Sequence, residues 1–136
     1  MSLGPDIGGS GFYLPSFAFT TGALSGTTAA ANVLTGQPLC IVNSTTNGGS
    51  LTTRTAALMM GDSGLGLGAT WWVLLVNSGG AGTLTLAAGS NVTVSGTATC
   101  ITVTGRLFLC TVNTATTITM TGQTWALTAT GLAFTT

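Results

Sequence analysis

The sequence predicts an all-β protein, an antiparallel β-sandwich or jelly-roll-like meander with an N-terminal arm and one short helix. Three observations carry this. From residue 70 onward, apolar and polar residues alternate in short runs, each closed by Gly or Asn. The runs recur at roughly 8–12 residues, the spacing of strands in sandwiches and small barrels. Thr fills the outward positions, where its β-branch fits the pleat and its hydroxyl adds polarity without charge.

Residues 1–50 lack clear periodicity and are expected to form an N-terminal arm and loop-rich segment, with the β domain spanning 51–136. The stretch GGSGFYLPSFAFT concentrates aromatics among Gly, Ser and Pro, and Pro15 and Pro38 interrupt the segment. Phe12, Tyr13 and Phe17 are its candidates for an assembly interface. The helix is expected within TTRTAALMMG, residues 52–61. Thr52 or Thr53 can cap its N-terminus, Gly61 suits its end, and Leu58 and Met59 are its expected buried contacts.

Trp71–Val76 is a continuous apolar run, expected to be a strand buried on both faces. Adjacent strand residues point to opposite faces, so one of Trp71 and Trp72 can enter the core while the other meets a neighbouring layer or subunit. Both are interface candidates. Further strands follow. Leu84 and Leu86 share a face, as do Val92 and Val94, Ile101 and Val103, and Phe108, Cys110 and Val112. Ile118 and Met120 come next, and Trp125, Leu127 and Phe134 close the chain.

Composition excludes much chemistry. Charged residues are 3% of the chain: Asp6, Arg54, Asp62 and Arg106, with no Lys, Glu or His. Globular proteins carry about 25%. General acid–base catalysis normally needs His or a tuned carboxylate or Lys, so no enzyme and no catalytic residue is expected. Nucleic-acid binding driven by counterion release needs many cations, and none is expected. Asp62 alone falls short of a calcium site, zinc sets are missing, and no metal or cofactor is expected. Gly64–Ala69 fits the pattern G-x-G-x-x-A. It precedes a strand rather than a helix, however, which removes the dinucleotide reading. Arg106 is placed at a hairpin tip, where it either pairs with an Asp or is solvated.

The most apolar stretch, Leu65–Val76, is 12 residues, short of the ~20 a helical membrane span needs. No membrane association is expected. The opening residues show no secretory pattern, which points to synthesis in a cytoplasm and leaves two formal glycosylation sequons, at Asn43 and Asn91, without weight. Cys40, Cys100 and Cys110 make no even disulfide framework. Buried free thiols are the expectation. A Cys100–Cys110 bridge is the alternative, available if a hairpin centred near Gly105 sets those residues opposite each other.

Four charges with a net of zero give a monomer little protection against association, and strand edges are normally guarded by charge. The surface is therefore expected to be covered in an assembly. The stretch from about Leu51 to Gly122 resembles a Gly/Thr-rich β domain of virion surface and fibre proteins of tailed phages and large double-stranded DNA viruses. The resemblance is carried by TTRTAALMM, by GATWWVLLVNSGGAGTLTLAAGSNVTVSGTATC and by GRLFLCTVNTATTITM. It implies a non-enzymatic structural component of a capsid, fibre or tail. That component would be a homo-oligomer, a trimer first, alongside other virion proteins, made in the host cytoplasm and residing in the virion. The alternatives are an extracellular filament subunit or adhesin polymerising by strand addition, and a lectin-like binding module.

Overall fold

Asn77 shows how this chain turns corners without charge. It ends strand β4 (Thr70–Asn77) fully buried. Its Nδ2 donates to the carbonyls of Gly82 (3.0 Å) and Cys100 (3.1 Å), and its Oδ1 accepts from the Gly79 N–H (3.2 Å). One amide thus satisfies three backbone groups that the turn would otherwise leave unpaired. The corner stacks on the equivalent corner after β2 (Leu39–Ser44). The Ser78 N–H donates to Ser44 O at 2.9 Å, and the Gly80 N–H to Asn47 Oδ1 at 2.7 Å. The approach is close enough that a Cβ on Gly79 would fall 2.0 Å from the Thr46 carbonyl oxygen.

The computed structural model describes residues 17–22, 38–128 and 134–135. Besides β2 and β4, the large sheet holds β1 (Phe17–Gly22), β6 (Val92–Gly96), β8 (Thr104–Thr114), β9 (Thr117–Gly122), β10 (Ala126–Thr128) and β11 (Phe134–Thr135). The small sheet is β3 (Gly49–Thr52), β5 (Leu84–Ala87) and β7 (Thr99–Cys100). Among the described residues, two sheets and one short helix make an all-β, sandwich-like fold. The pairing is mixed, where an antiparallel meander was expected. β1–β2, β2–β4, β3–β5 and β6–β9 run parallel, while β4–β8, β8–β9, β8–β10, β10–β11 and β5–β7 run antiparallel. The cause is a coil. β2 passes over its corner into β3, residues 53–69 carry the chain back, and β4 passes over the next corner into β5. Successive coils stack, so their strands align in parallel.

The core lies between the sheets. Val42, Val73, Leu75, Phe108, Cys110 and Val112 face Leu51, Leu84, Leu86 and Cys100, with Ile118 and Met120 beside them. Residues 39–50, expected within the loop-rich segment, instead supply β2 and β3 and bury Cys40 and Val42. The helix α1 spans Ala56–Ser63. Thr55 caps it by accepting from the Leu58 N–H, and Gly64 ends it in the left-handed region. The N-cap lies two residues beyond Thr53 and the C-cap three beyond Gly61. Met59 is buried as expected, together with Ala56, while Leu58, expected beside it, is exposed.

Three further expectations change. β4 alternates rather than burying both faces: Trp71, Val73 and Leu75 are buried, while Leu74 and Val76 are part-exposed. Ile101 and Val103 form no strand. They sit in a turn closed by the Thr104 N–H to Ile101 O (3.2 Å), with Val103 at φ 62° and both side chains exposed. At the C-terminal end it is Ala126 that is buried, with Trp125 and Leu127 part-exposed. The side chain of Phe134 lies outside the described set.

Candidate assembly surface

The outward side of the large sheet is built by the strand period of two. Residues alternating with the core positions on β2, β4 and β8 point away from the small sheet, and the register sets them in rows. Leu39, Trp72 and Leu109 form the first row, and Thr121 of β9 extends it. Ile41, Leu74 and Leu107 form the second. Asn43, Val76, Gly105 and Leu127 form the third. The apolar members are part-exposed, and Trp72, at 38%, is the most open of them. No charged side chain occurs in any row. Thr70, Thr111, Thr119 and Thr121 edge the patch, giving an apolar centre with a hydroxyl rim, the anatomy of a protein interface.

The third row contains a hollow of about 130 Å³, lined by Val76, Val103, Thr104, Gly105, Leu127 and Thr128. It exists because Gly105 has no side chain between Val76 and Leu127, its partners on either side.

The two tryptophans separate as adjacent strand residues must. Trp71 is 4% exposed in the core, opposite Cys110, while Trp72 stands on the outer face. Phe17 begins β1 and is the register partner of Leu39. Phe12 and Tyr13 lie outside the described residues. The structure thus places Trp72 on the outer face and removes Trp71 from it. Leu39, Ile41, Leu74, Leu107, Leu109 and Gly105 belong to the same face and were not named as interface candidates from sequence. A signal was present. Leu39–Ser44, Val73–Ser78 and Leu109–Thr114 read LCIVNS, VLLVNS and LCTVNT, and these three segments lie in the neighbouring strands that build the face.

Other sequence candidates are structural. Arg106 is not at a hairpin tip but within β8, on the core side. Its Nε donates to Thr99 O (3.0 Å), and its Nη1 lies within 2.9–3.0 Å of the carbonyls of Gln123, Thr124 and Trp125. It therefore fastens β7 and the link into β10 to β8, a use of Arg as a multidentate donor. The Gly64–Ala69 loop leads into β4, and its Gly68 N–H bonds Val112 O at 3.0 Å. Among the described residues no three His, Cys, Asp or Glu side chains cluster. No described helix is long and apolar enough to cross a membrane.

Cys40, Cys100 and Cys110 are buried free thiols. The bridge fails on register, because Cys100 pairs with Leu84 and Cys110 with Trp71 and Met120, on different strands. Burial pushes the Cys100 thiol from 9.0 up to about 12, against a smaller opposing pull from Arg106. Burial raises Cys110 as well, with a further rise from Cys40. Thiolate is the reactive form, so these are inert core residues.

Comparison with known proteins leaves the surface to speak for itself: no family model, curated protein or solved structure matches the chain.

Proposed function

We propose that the protein is a non-enzymatic structural subunit of a virion, a component of a capsid, fibre or tail, that self-assembles through apolar β surfaces. The observation that carries self-assembly is the outer face of the large sheet, where Leu39, Ile41, Trp72, Leu74, Leu107 and Leu109 form a part-open apolar field free of charge. An apolar patch of about 300–600 Å² is the largest a typical monomer carries, and such patches are often functional. Its mechanism is packing: covering the face removes apolar area from water at about 25 cal/mol per Å². The virion setting rests on the resemblance of residues 51–122 and on the low charge of the whole chain.

A second reading, a filament growing by strand addition, is favoured by the sheet edges. Among the described residues β3 pairs only with β5, and β1 only with β2. Neither strand carries a charged residue to guard its free edge.

Electron microscopy of the purified full chain tests the proposal. Discrete closed particles, shells or short fibres of repeating subunits are expected. Continuous filaments of unlimited length would favour strand addition, and a field of separate monomers would overturn self-assembly.

A further inference from the structure

We propose that the outer face of the large sheet packs on the same face of a second copy about a two-fold axis, each Trp72 entering the other copy's hollow at Gly105. The inference rests on the self-assembly proposed above and names its surface and symmetry.

The knob and the hole lie on one patch. Trp72 and Val76 are four residues apart on β4, roughly 13 Å along the strand, and Gly105 is the register partner of Val76 on β8. A two-fold axis lying over the middle row, Ile41–Leu74–Leu107, sets the first row of each copy over the third row of the other. Leu74 then packs near its own counterpart, and Trp72 falls within about one strand spacing of the partner's hollow. Both knobs are seated by a single closed contact, as an isologous interface requires. A ring of three would need two different patches. The hollow, about 130 Å³, is close to the ~150 Å³ cavity that holds a benzene, a size for the six-membered ring of the Trp72 indole rather than the whole of it.

Gly105 itself points the same way. Its backbone does not require glycine, since its φ is ordinary. A Cβ there would have as its nearest neighbours Leu74 Cδ1 at 3.3 Å, Leu75 O at 3.5 Å and Val76 Cγ2 at 3.5 Å, the first of them the end of a flexible side chain. Glycine inside a strand weakens it, and often marks a place where another group approaches closely. Here its effect is to keep the hollow open.

The area is of the right order. Four strand positions of six residues span roughly 19 by 20 Å. That is about 400 Å² in projection, which side-chain relief raises toward the ~600 Å² per partner of the smallest specific interfaces. The patch is neutral throughout, so a copy meets its like without charge repulsion, and a large aromatic near its centre suits an anchoring residue.

Sedimentation equilibrium of the full chain tests this, with wild type, Trp72→Ser, Gly105→Ala and Gly105→Val each checked for a cooperative melt. The expected result is a wild-type dimer, alone or as the unit of larger even-numbered species. Trp72→Ser and Gly105→Val should each weaken it at least about tenfold, with Gly105→Ala intermediate and all variants folded. If wild type associates and neither substitution weakens it, or the smallest associated species is a trimer, this interface is wrong while self-assembly stands. If wild type stays monomeric at micromolar concentrations, both fall.

Discussion

Trp71→Ser should strongly destabilise the fold. Trp71 is 4% exposed, its ring lies in the core, and β4, which carries it, is held between β2 and β8. Truncating a buried Trp to a small residue costs about 3–5 kcal/mol, before the cost of a buried hydroxyl. A domain of this size is stable by only about 5–15 kcal/mol. The neighbouring Trp72→Ser should behave differently, because Trp72 stands on the outer face: the fold persists and association weakens. Thermal melts followed by circular dichroism separate the two. Equal losses at both positions would contradict the alternation of β4.

Gly122→Ala should be nearly as damaging, although it adds one carbon. A Cβ at Gly122 would sit 1.8 Å from the Thr97 carbonyl oxygen and 2.9 Å from Phe108 Cε1. The first neighbour is backbone and cannot swing aside. The Thr97 N–H also donates to Gly122 O at 3.2 Å, and β9 pairs there with Gly96 on one side and Phe108 on the other. Relief must move the Thr97 backbone, and with it the end of β6, away from β9, and displace the Phe108 ring as well. Overpacking a core costs typically 1–3 kcal/mol and more where backbone must move, so a loss of at least about 3 kcal/mol is expected in chemical denaturation. Gly61→Ala is the control. Gly61 lies in α1 with nothing within 4 Å of its added carbon, and the change should stabilise by about 0.5–1 kcal/mol. Equal effects at Gly122 and Gly61 would contradict the close approach.

Much of the core was legible because strand alternation is a local signal. Leu84 and Leu86, Phe108, Cys110 and Val112, and Ile118 and Met120 are buried as their spacing predicts. Strand direction was not legible, because a short Gly-rich link is equally compatible with a hairpin and with a corner between sheets. What decides here is the buried Asn77 amide and the Asn47 contact across 33 residues of sequence. Ile101 and Val103 mislead for a related reason. Their alternation continues that of β7, yet Val103 takes a left-handed backbone that β-branched residues seldom adopt. Its N–H donates to Asn77 O at 2.8 Å, which holds it there. The candidate surface was half legible. The Trp pair was visible as a feature. Which Trp faces outward depends on register with β8, and the hollow at Gly105 depends on three strands meeting.

The central claim is that the outer face of the large sheet drives association, and Leu74→Lys tests it most directly. Leu74 lies in the middle row between Ile41 and Leu107 and is part-exposed. In an isolated subunit the lysine can lay its stem along the face and keep its ammonium in water. In a packed interface the same charge is desolvated without a partner. Light scattering should therefore show associated wild type and a monomeric variant with an unchanged circular dichroism spectrum. A variant that keeps the wild-type mass, or one destabilised as Trp71→Ser is, would contradict the account.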